Sequence, residues 1–306
     1  MVREHTKGRG RSGEELLLSD PDSIRGKLQR ACLALLREHQ RNDDIPTNGR
    51  FLFYELEQRG VVPKSYPGMK RTPLQAVSEA TMHLRKCGLV PWSWIDDETR
   101  TLTHPLYADT VADYVIGAVD RARIDLWQGE EPPLIICESR ATMGVLRDLA
   151  YQYLTPITAT NGQSGGFIVN EIVPLLMHER RVLYIGDFEL RGPADQIEAN
   201  TKRYIEEHTG RTFDPDEWTK IALTKEQVNR RPTLKRLTIS KLDHRNKPPK
   251  RYEAIECEAL GQGVLVRLIR DCLDKLLPEP LDDVLEREEE QRKTVAAMLT
   301  KLKKKA

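Results

Sequence analysis

Between residues 134 and 190 short apolar runs alternate with longer amphipathic stretches, and this alternation restricts the fold more than any other feature of the chain. LIICES (134–139) is followed by RATMGVLRDLAYQYL (140–154), PITATN (156–161), GGFIVNEIVPLLMHE (165–179) and RVLYIGDFE (181–189). The runs of four to six residues read as strands buried on both faces, and the longer stretches read as crossover helices. Strand, helix, strand, helix, strand implies a parallel sheet, because parallel neighbours need a connection that travels back across the sheet. The expected class is therefore α/β.

In such sheets functional groups gather at the carboxyl ends of the strands. Two of the runs end there in acids: Glu138 after LIIC, and Asp187 and Glu189 after VLYIG. Residues two apart in an extended chain point the same way, so Asp187 and Glu189 are expected to share a side while Phe188 packs on the other. Convergent carboxylates repel each other unless a cation joins them, and a hard divalent ion such as Mg2+ takes oxygen ligands of this kind. Taken one at a time, each acid also reads as an ordinary loop residue or helix cap.

The residues before this region are helical in pattern. SIRGKLQRACLALLREH (23–39) places Ile24, Leu28, Cys32, Leu35 and Leu36 on one face. RFLFYELEQRG (50–60) ends at Gly60, a position suited to positive φ, and Thr72-Pro73 predicts a capped start for TPLQAVSEATMHLRKCG (72–88). Three short helices in this order suggest a helix-turn-helix core. LVPWSWIDDETRTLTHP (89–105) alternates about a turn and reads as the hairpin wing of a winged helix, and residues 105–129 read as a further helix. Residues 1–20 read as a flexible arm, and EREEEQRKTVAAMLTKLKKKA (286–306) as a charged terminal helix.

A Glu ending one strand, with an Asp-x-Asp-Pro-x-Gly-like motif ending a later parallel strand, resembles the Toprim domain of topoisomerases, primases and some nucleases. Here the motif stands as Asp187-Phe188-Glu189-Leu190-Arg191-Gly192, with Glu for the second Asp and Leu for Pro. The whole arrangement is similar to the A subunit of topoisomerase VI, its meiotic double-strand-break relatives and Toprim nucleases, in which a winged helix precedes the Toprim domain. The break-forming members carry Arg-x-x-Tyr-Tyr, and Arg50-Phe51-Leu52-Phe53-Tyr54 matches it at the Arg and the final Tyr. The resemblance implies Mg2+ or Mn2+ held by Glu138, Asp187 and Glu189, duplex DNA as partner, a homodimer in which one protomer's tyrosine meets the other's metal, and Tyr54 as a candidate nucleophile. Read from its own surroundings, Tyr54 sits on an apolar helix face where aromatic residues are usually core.

The expected domains are a winged helix over 21–128, a Toprim domain with a basic loop over 129–278 and a charged helix and tail over 279–306. Net charge is +1, so only a local excess identifies a polyanionic partner. That excess lies in the irregular-looking stretch 218–251, where eleven Lys and Arg face only Glu226 and Asp243. Within it Lys241, His244 and Arg245 are candidate phosphate contacts, with Arg50 from the tyrosine motif. Gly162-Gln163-Ser164-Gly165-Gly166 fits a serine-hydrolase elbow and equally a glycine-rich turn. Five scattered cysteines without a CxxC pair read as reduced thiols, and neither a secretory signal nor an apolar run of roughly 18 residues is present. The expectation is a cytoplasmic, nucleoid-associated, metal-dependent DNA-cleaving protein. A non-catalytic DNA-binding or assembly protein on a degenerate Toprim scaffold is the alternative, and Glu189 and Leu190 favour it.

Overall fold

The computed structural model describes residues 13–66, 71–96, 107–161, 165–190, 196–243 and 248–303. In chain order its elements are α1 (Gly13–Leu17), α2 (Ile24–Arg41), β1 (Thr47–Asn48), α3 (Gly49–Gln58), α4 (Pro73–Lys86), β2 (Ile95–Asp96), α5 (Val111–Val119), β3 (Leu134–Cys137), α6 (Arg140–Gln152), β4 (Ile157–Ala159), α7 (Gly165–Phe167), β5 (Val182–Ile185), β6 (Phe188–Leu190), α8 (Ile197–Thr209), β7 (Trp218–Ala222), α9 (Lys225–Arg230), α10 (Pro232–Lys235), β8 (Ile239–Asp243), β9 (Lys250–Ile255), α11 (Gln262–Leu276) and α12 (Leu281–Lys303). The class is α/β with parallel strand pairing, as expected. Among the described residues, no helix is long and apolar enough to cross a membrane.

Two compact units form: Met1–Asp97 with Lys225–Gly263, and Glu98–Thr224 with Val264–Ala306. The first unit therefore takes in the segment 225–263, which the sequence pattern assigned with the preceding strands, and the second takes in 98–128. The stretch 218–251 is also more regular than its composition suggests, since it holds β7, α9, α10, β8 and part of β9. Its strands alternate too weakly in hydrophobicity to stand out, because β9 is mostly exposed until Ala254 and Ile255.

In the first unit, α2, α3 and α4 bury Leu28, Cys32, Leu35, Leu36, Phe51, Leu52, Leu56, Val77 and Leu84. The helix ends follow the local chemistry. Thr72 and Gln75 form a reciprocal capping box with Pro73 in the first turn, and Gly60 takes φ +70° behind α3. α1 makes residues 13–17 of the expected arm helical, held by Arg37 Nη2 on Glu14 Oε1 at 2.6 Å and by Arg30 on Glu15. β2 pairs in parallel with β1, through Thr47↔Ile95 and Asn48↔Asp96. The turn and second arm of the expected wing lie outside the described residues. β8 and β9 form an antiparallel ladder in which Lys241 faces Tyr252.

In the second unit the parallel sheet runs β4-β3-β5-β7. Ile135 lies opposite Ile157 on one side and opposite Leu183 on the other. Leu134, Ile136, Val182 and Tyr184 share the face that packs on Ile168, Ile172, Leu176, Ile205, Phe213 and Trp218. The crossover after β4 begins as α7, then loosens into a π turn (Ile168–Ile172) and a tight 3-10 turn (Val173–Leu176) containing Pro174. α5 is shorter than its apolar pattern, ending at Val119. Beyond it Asp125 turns the chain by accepting from Trp127 N at 2.9 Å and Gly129 N at 2.6 Å, and the Trp127 indole donates to Tyr153 O at 2.9 Å.

The Thr72 cap is a local contribution open to direct measurement. Thr72→Ala is expected to lower unfolding free energy by about 1 kcal/mol in urea titration, the usual size of a lost N-cap.

Candidate functional site

Two clusters of titratable side chains stand out, one in each unit. The second unit carries the acids found at strand ends. β3 stops at Cys137, where Glu138 N donates to Ile185 O at 2.8 Å, and β5 stops at Ile185, where Gly186 N donates to Ala222 O at 2.7 Å. The first bond ties the end of β3 to β5, and the second ties the end of β5 to β7. Glu138 Oε2 then accepts from Asp187 N at 2.9 Å, so the acid from β3 lies over the chain leaving β5.

Gly186 is required by that approach. A Cβ there would stand 2.6 Å from Glu138 Oε2 and 2.6 Å from Tyr184 Cε1. Asp187 and Glu189 are both buried. Glu189 Oε2 accepts from Ile197 N at 2.6 Å, the first residue of α8, and so places its charge at the positive end of that helix. Among the described residues, Glu138, Asp187 and Glu189 do not close to within 4.8 Å of one another as a set. All three act electrostatically on the buried phenol of Tyr184. Burial pushes that phenol well above its ordinary value, and Glu138, Glu198, Asp187 and Glu189 push it in the same direction. Glu198 was not apparent from sequence, because on α8 it reads as one more exposed acid of an amphipathic helix.

Lys220 is the cation held in this cluster. Its Nζ lies 2.9 Å from Glu198 Oε2 and donates to Asp187 O at 3.0 Å, while the Trp218 indole donates to Glu198 Oε1 at 3.2 Å. The Tyr184 hydroxyl is fully buried and has no hydrogen-bond partner among the described residues. An orphaned buried hydroxyl among carboxylates is a costly arrangement unless a further group completes it. The carboxylates of Glu138, Asp187, Glu189 and Glu198 offer oxygen donors, the kind a hard divalent cation takes.

The first unit holds the tyrosine. Asn48 caps α3, accepting from Arg50 N at 3.0 Å and Phe51 N at 3.1 Å, and the helix period puts Tyr54 one turn beyond Arg50. The Tyr54 hydroxyl donates to Glu256 Oε2, and Arg50 Nη2 pairs with the same carboxylate oxygen. Arg50 Nε reaches Glu258 Oε1 at 2.7 Å, and Lys241 Nζ lies 3.4 Å from Glu256 Oε1. Lys64, from the loop after α3, donates to the Tyr54 hydroxyl at 3.0 Å, sits 4.1 Å from the ring centroid, and lies 3.7 Å from Glu57 Oε2.

The electrostatics of this cluster hold Tyr54 neutral. Burial pushes its phenol far above the ordinary range, and the Glu256 charge and hydrogen bond add to that, against Arg50. For Glu256, burial works upward, but Lys241, Arg50, Tyr54 and Lys64 outweigh it and hold the carboxyl below its ordinary value. Burial raises Glu57 and lowers Lys64, each against the charge of the other. Sequence reasoning placed Arg50 and Tyr54 in one motif and Lys241 apart from them, and the fold brings all three to Glu256. It missed Lys64, Glu57, Glu256 and Glu258. The pair in ECEAL, two acids behind an apolar strand end, carries the same signal that singled out Asp187 and Glu189. His244, Arg245 and the Gly162–Ser164 part of the elbow-like motif lie outside the described residues.

Comparison with models of known protein families, with curated proteins and with solved structures finds no match for the chain.

Both clusters yield measurable consequences. Gly186→Ala must displace Glu138 or the Tyr184 ring, and is expected to cost roughly 1–3 kcal/mol in chemical denaturation, the range for overpacking a tight core. Glu256, depressed in the folded state, contributes stability that is complete above its unfolded value of roughly 4.3 and is lost as pH falls through the lower folded value. Glu256→Gln is therefore expected to flatten the acid limb of a stability–pH curve measured between pH 2 and pH 6, about the range that brackets an ordinary carboxylate.

Proposed function

We propose that the chain is a metal-dependent DNA-cleaving protein, with a winged-helix-like first unit and a Toprim-like second unit acting on duplex DNA. The observation that carries the reading is that Glu138 Oε2 meets the Asp187 amide at the carboxyl ends of β3 and β5, with Asp187 and Glu189 buried and the buried Tyr184 hydroxyl without a partner among the described residues. Clefts at that edge of a parallel sheet are where ligands bind in α/β folds. The basic excess of residues 225–251 supplies the complementary field for a phosphate backbone.

Glu138 and Asp187 are the residues proposed to hold Mg2+ or Mn2+, with Glu189 and Glu198 adding negative charge around it. A hard divalent cation bound there supplies positive charge against the oxygens of a phosphodiester. The chain's own groups do the rest. Glu138 is oriented by the Asp187 amide, Lys220 fixes the Asp187 main chain and Glu198, and Gly186 keeps the approach open. Tyr54 is proposed as a structural phenol and not the nucleophile. Its proton is held by Glu256, a carboxylate made less basic by three cations, so the phenolate needed for attack is disfavoured. Water is then the attacking group. Action in the cytoplasm as a homodimer, with or without a partner subunit, belongs to the same proposal.

A non-catalytic DNA-binding or assembly role is favoured by one observation: the Glu189 carboxylate is engaged with the Ile197 amide as a helix cap. Supercoiled plasmid with Mg2+ or Mn2+ separates the two readings. Wild type is expected to nick it, and Glu138→Gln and Asp187→Asn to lose nicking by at least about a hundredfold, as when a charge-stabilising group is removed. Purified wild type that retards DNA in a gel but never cleaves it sinks the enzyme reading. Tyr54→Phe is expected to leave cleavage intact, and a covalent protein–DNA adduct abolished by that change makes the tyrosine the nucleophile after all.

A further inference from the structure

The first-unit cluster has a layered charge distribution that nothing in the tyrosine's structural role requires. Its three acids are withdrawn from solvent: the side chains of Glu57, Glu256 and Glu258 are 6%, 9% and 1% exposed. Its three cations are not: Arg50, Lys64 and Lys241 keep 37%, 33% and 25% of their side-chain surface. A basic rim thus lies over an acidic floor. The floor matters because long basic side chains are costly to hold still, and charge-assisted bonds to buried carboxylates hold them before any ligand arrives.

Each cation is fixed from a different part of the chain. Arg50 stands on α3 and spans Glu256 and Glu258. Lys64 comes from the loop after α3 and is steadied over the Tyr54 and Phe53 rings, 4.1 Å and 5.6 Å from their centroids. Lys241 stands on β8 and approaches the opposite oxygen of Glu256 from Arg50. Tyr54 links them, donating to Glu256 and accepting from Lys64. Convergent basic groups on preorganised stems are suited to an oxygen-rich dianion or polyanion, where Arg gives planar recognition and Lys a point charge. Burial holds the Lys64 ammonium below its ordinary range despite Glu256 and Glu57. An anion arriving from the solvent side would add to the negative charge that Glu57 and Glu256 place near that nitrogen.

We propose that Arg50, Lys64 and Lys241 form a preorganised seat for one backbone phosphate of duplex DNA, with Lys64 as its central contact and Glu57, Glu256 and Glu258 as the floor that positions the three cations. The seat rests on the reading of the chain as a DNA-acting protein, and it adds a contact at a residue that sequence alone does not single out. It is independent of cleavage: the contact positions the duplex and carries no sequence information.

The test is the salt dependence of binding to a short fluorescein-labelled duplex of mixed sequence, followed by anisotropy on the full chain without added divalent metal. Lys64→Met keeps the stem over the aromatic rings and removes the charge, Lys64→Arg keeps the charge, and Lys293→Ala removes an exposed lysine of α12 as a control for net charge. Loss of one phosphate contact lowers the slope of log affinity against log salt by about 1. At ~0.1 M salt it weakens binding by roughly tenfold. Lys64→Met is expected to show both changes for every duplex sequence, Lys64→Arg to regain most of the wild-type slope, and Lys293→Ala to match wild type. A Lys64→Met protein with wild-type slope and affinity overturns the seat, even if its melting temperature falls, since that marks a purely structural lysine. Plasmid nicking is scored in parallel so that the two ideas fail separately. Nicking with an unchanged Lys64→Met slope removes the seat alone, a changed slope without nicking removes the cleavage reading alone, and wild type that binds no duplex at any salt removes both.

Discussion

The second unit depends on the in-register parallel pairing of two four-residue apolar strands, Leu134–Cys137 with Val182–Ile185. Both faces of each strand are buried, so the pair has no alternative register that keeps its side chains from water. Because the strands are parallel and of equal length, they end together, and the residues that follow are delivered to one edge. Glu138 and the Gly186-Asp187 turn meet there through a hydrogen bond to a main-chain amide. The close approach is possible only because residue 186 has no side chain.

The two clusters hold buried charge by different groups. In the first unit three carboxylates are matched by three cations and a phenol, and every charge has a partner of opposite sign within reach. Removing one member there leaves another exposed to the full cost of burial, which makes the cluster a cooperative unit and not a sum of pairs. In the second unit the charges of Glu138, Glu198, Asp187 and Glu189 all act on the buried Tyr184 phenol, and Lys220 pairs with Glu198. The Ile197 amide at the start of α8 shares the charge of Glu189.

Much of the architecture was legible because it is written in local chemistry. Thr72, Pro73 and Gln75 announce a helix start within four residues, and Gly60 announces an end, since each acts on backbone groups beside it. The strand–helix alternation of 134–190 was equally plain, because strands buried on both faces become unbroken apolar runs. What misled was exposure. β9 is largely solvent-facing and basic, so its period is masked, and the segment carrying it packs with the first unit although it follows the sheet in sequence. The extent of α5 was overestimated because Leu126 and Trp127 look like a continuing helical stripe, whereas they are buried from a turn organised by Asp125.

By itself, then, the sequence determined the α/β class, the ends of the main helices and the acids Glu138, Asp187 and Glu189 that follow apolar strands, all consequences of neighbouring residues and hydrophobic period. Only the tertiary structure decided what those acids and Tyr54 touch. Tyr54 and Glu256 lie 202 residues apart, Lys64 comes from a loop with no period, and Tyr184 reads as one more apolar strand residue although its hydroxyl is buried without a partner among the described residues. Such contacts depend on distance in space, and charge acts across space without leaving a pattern along the chain.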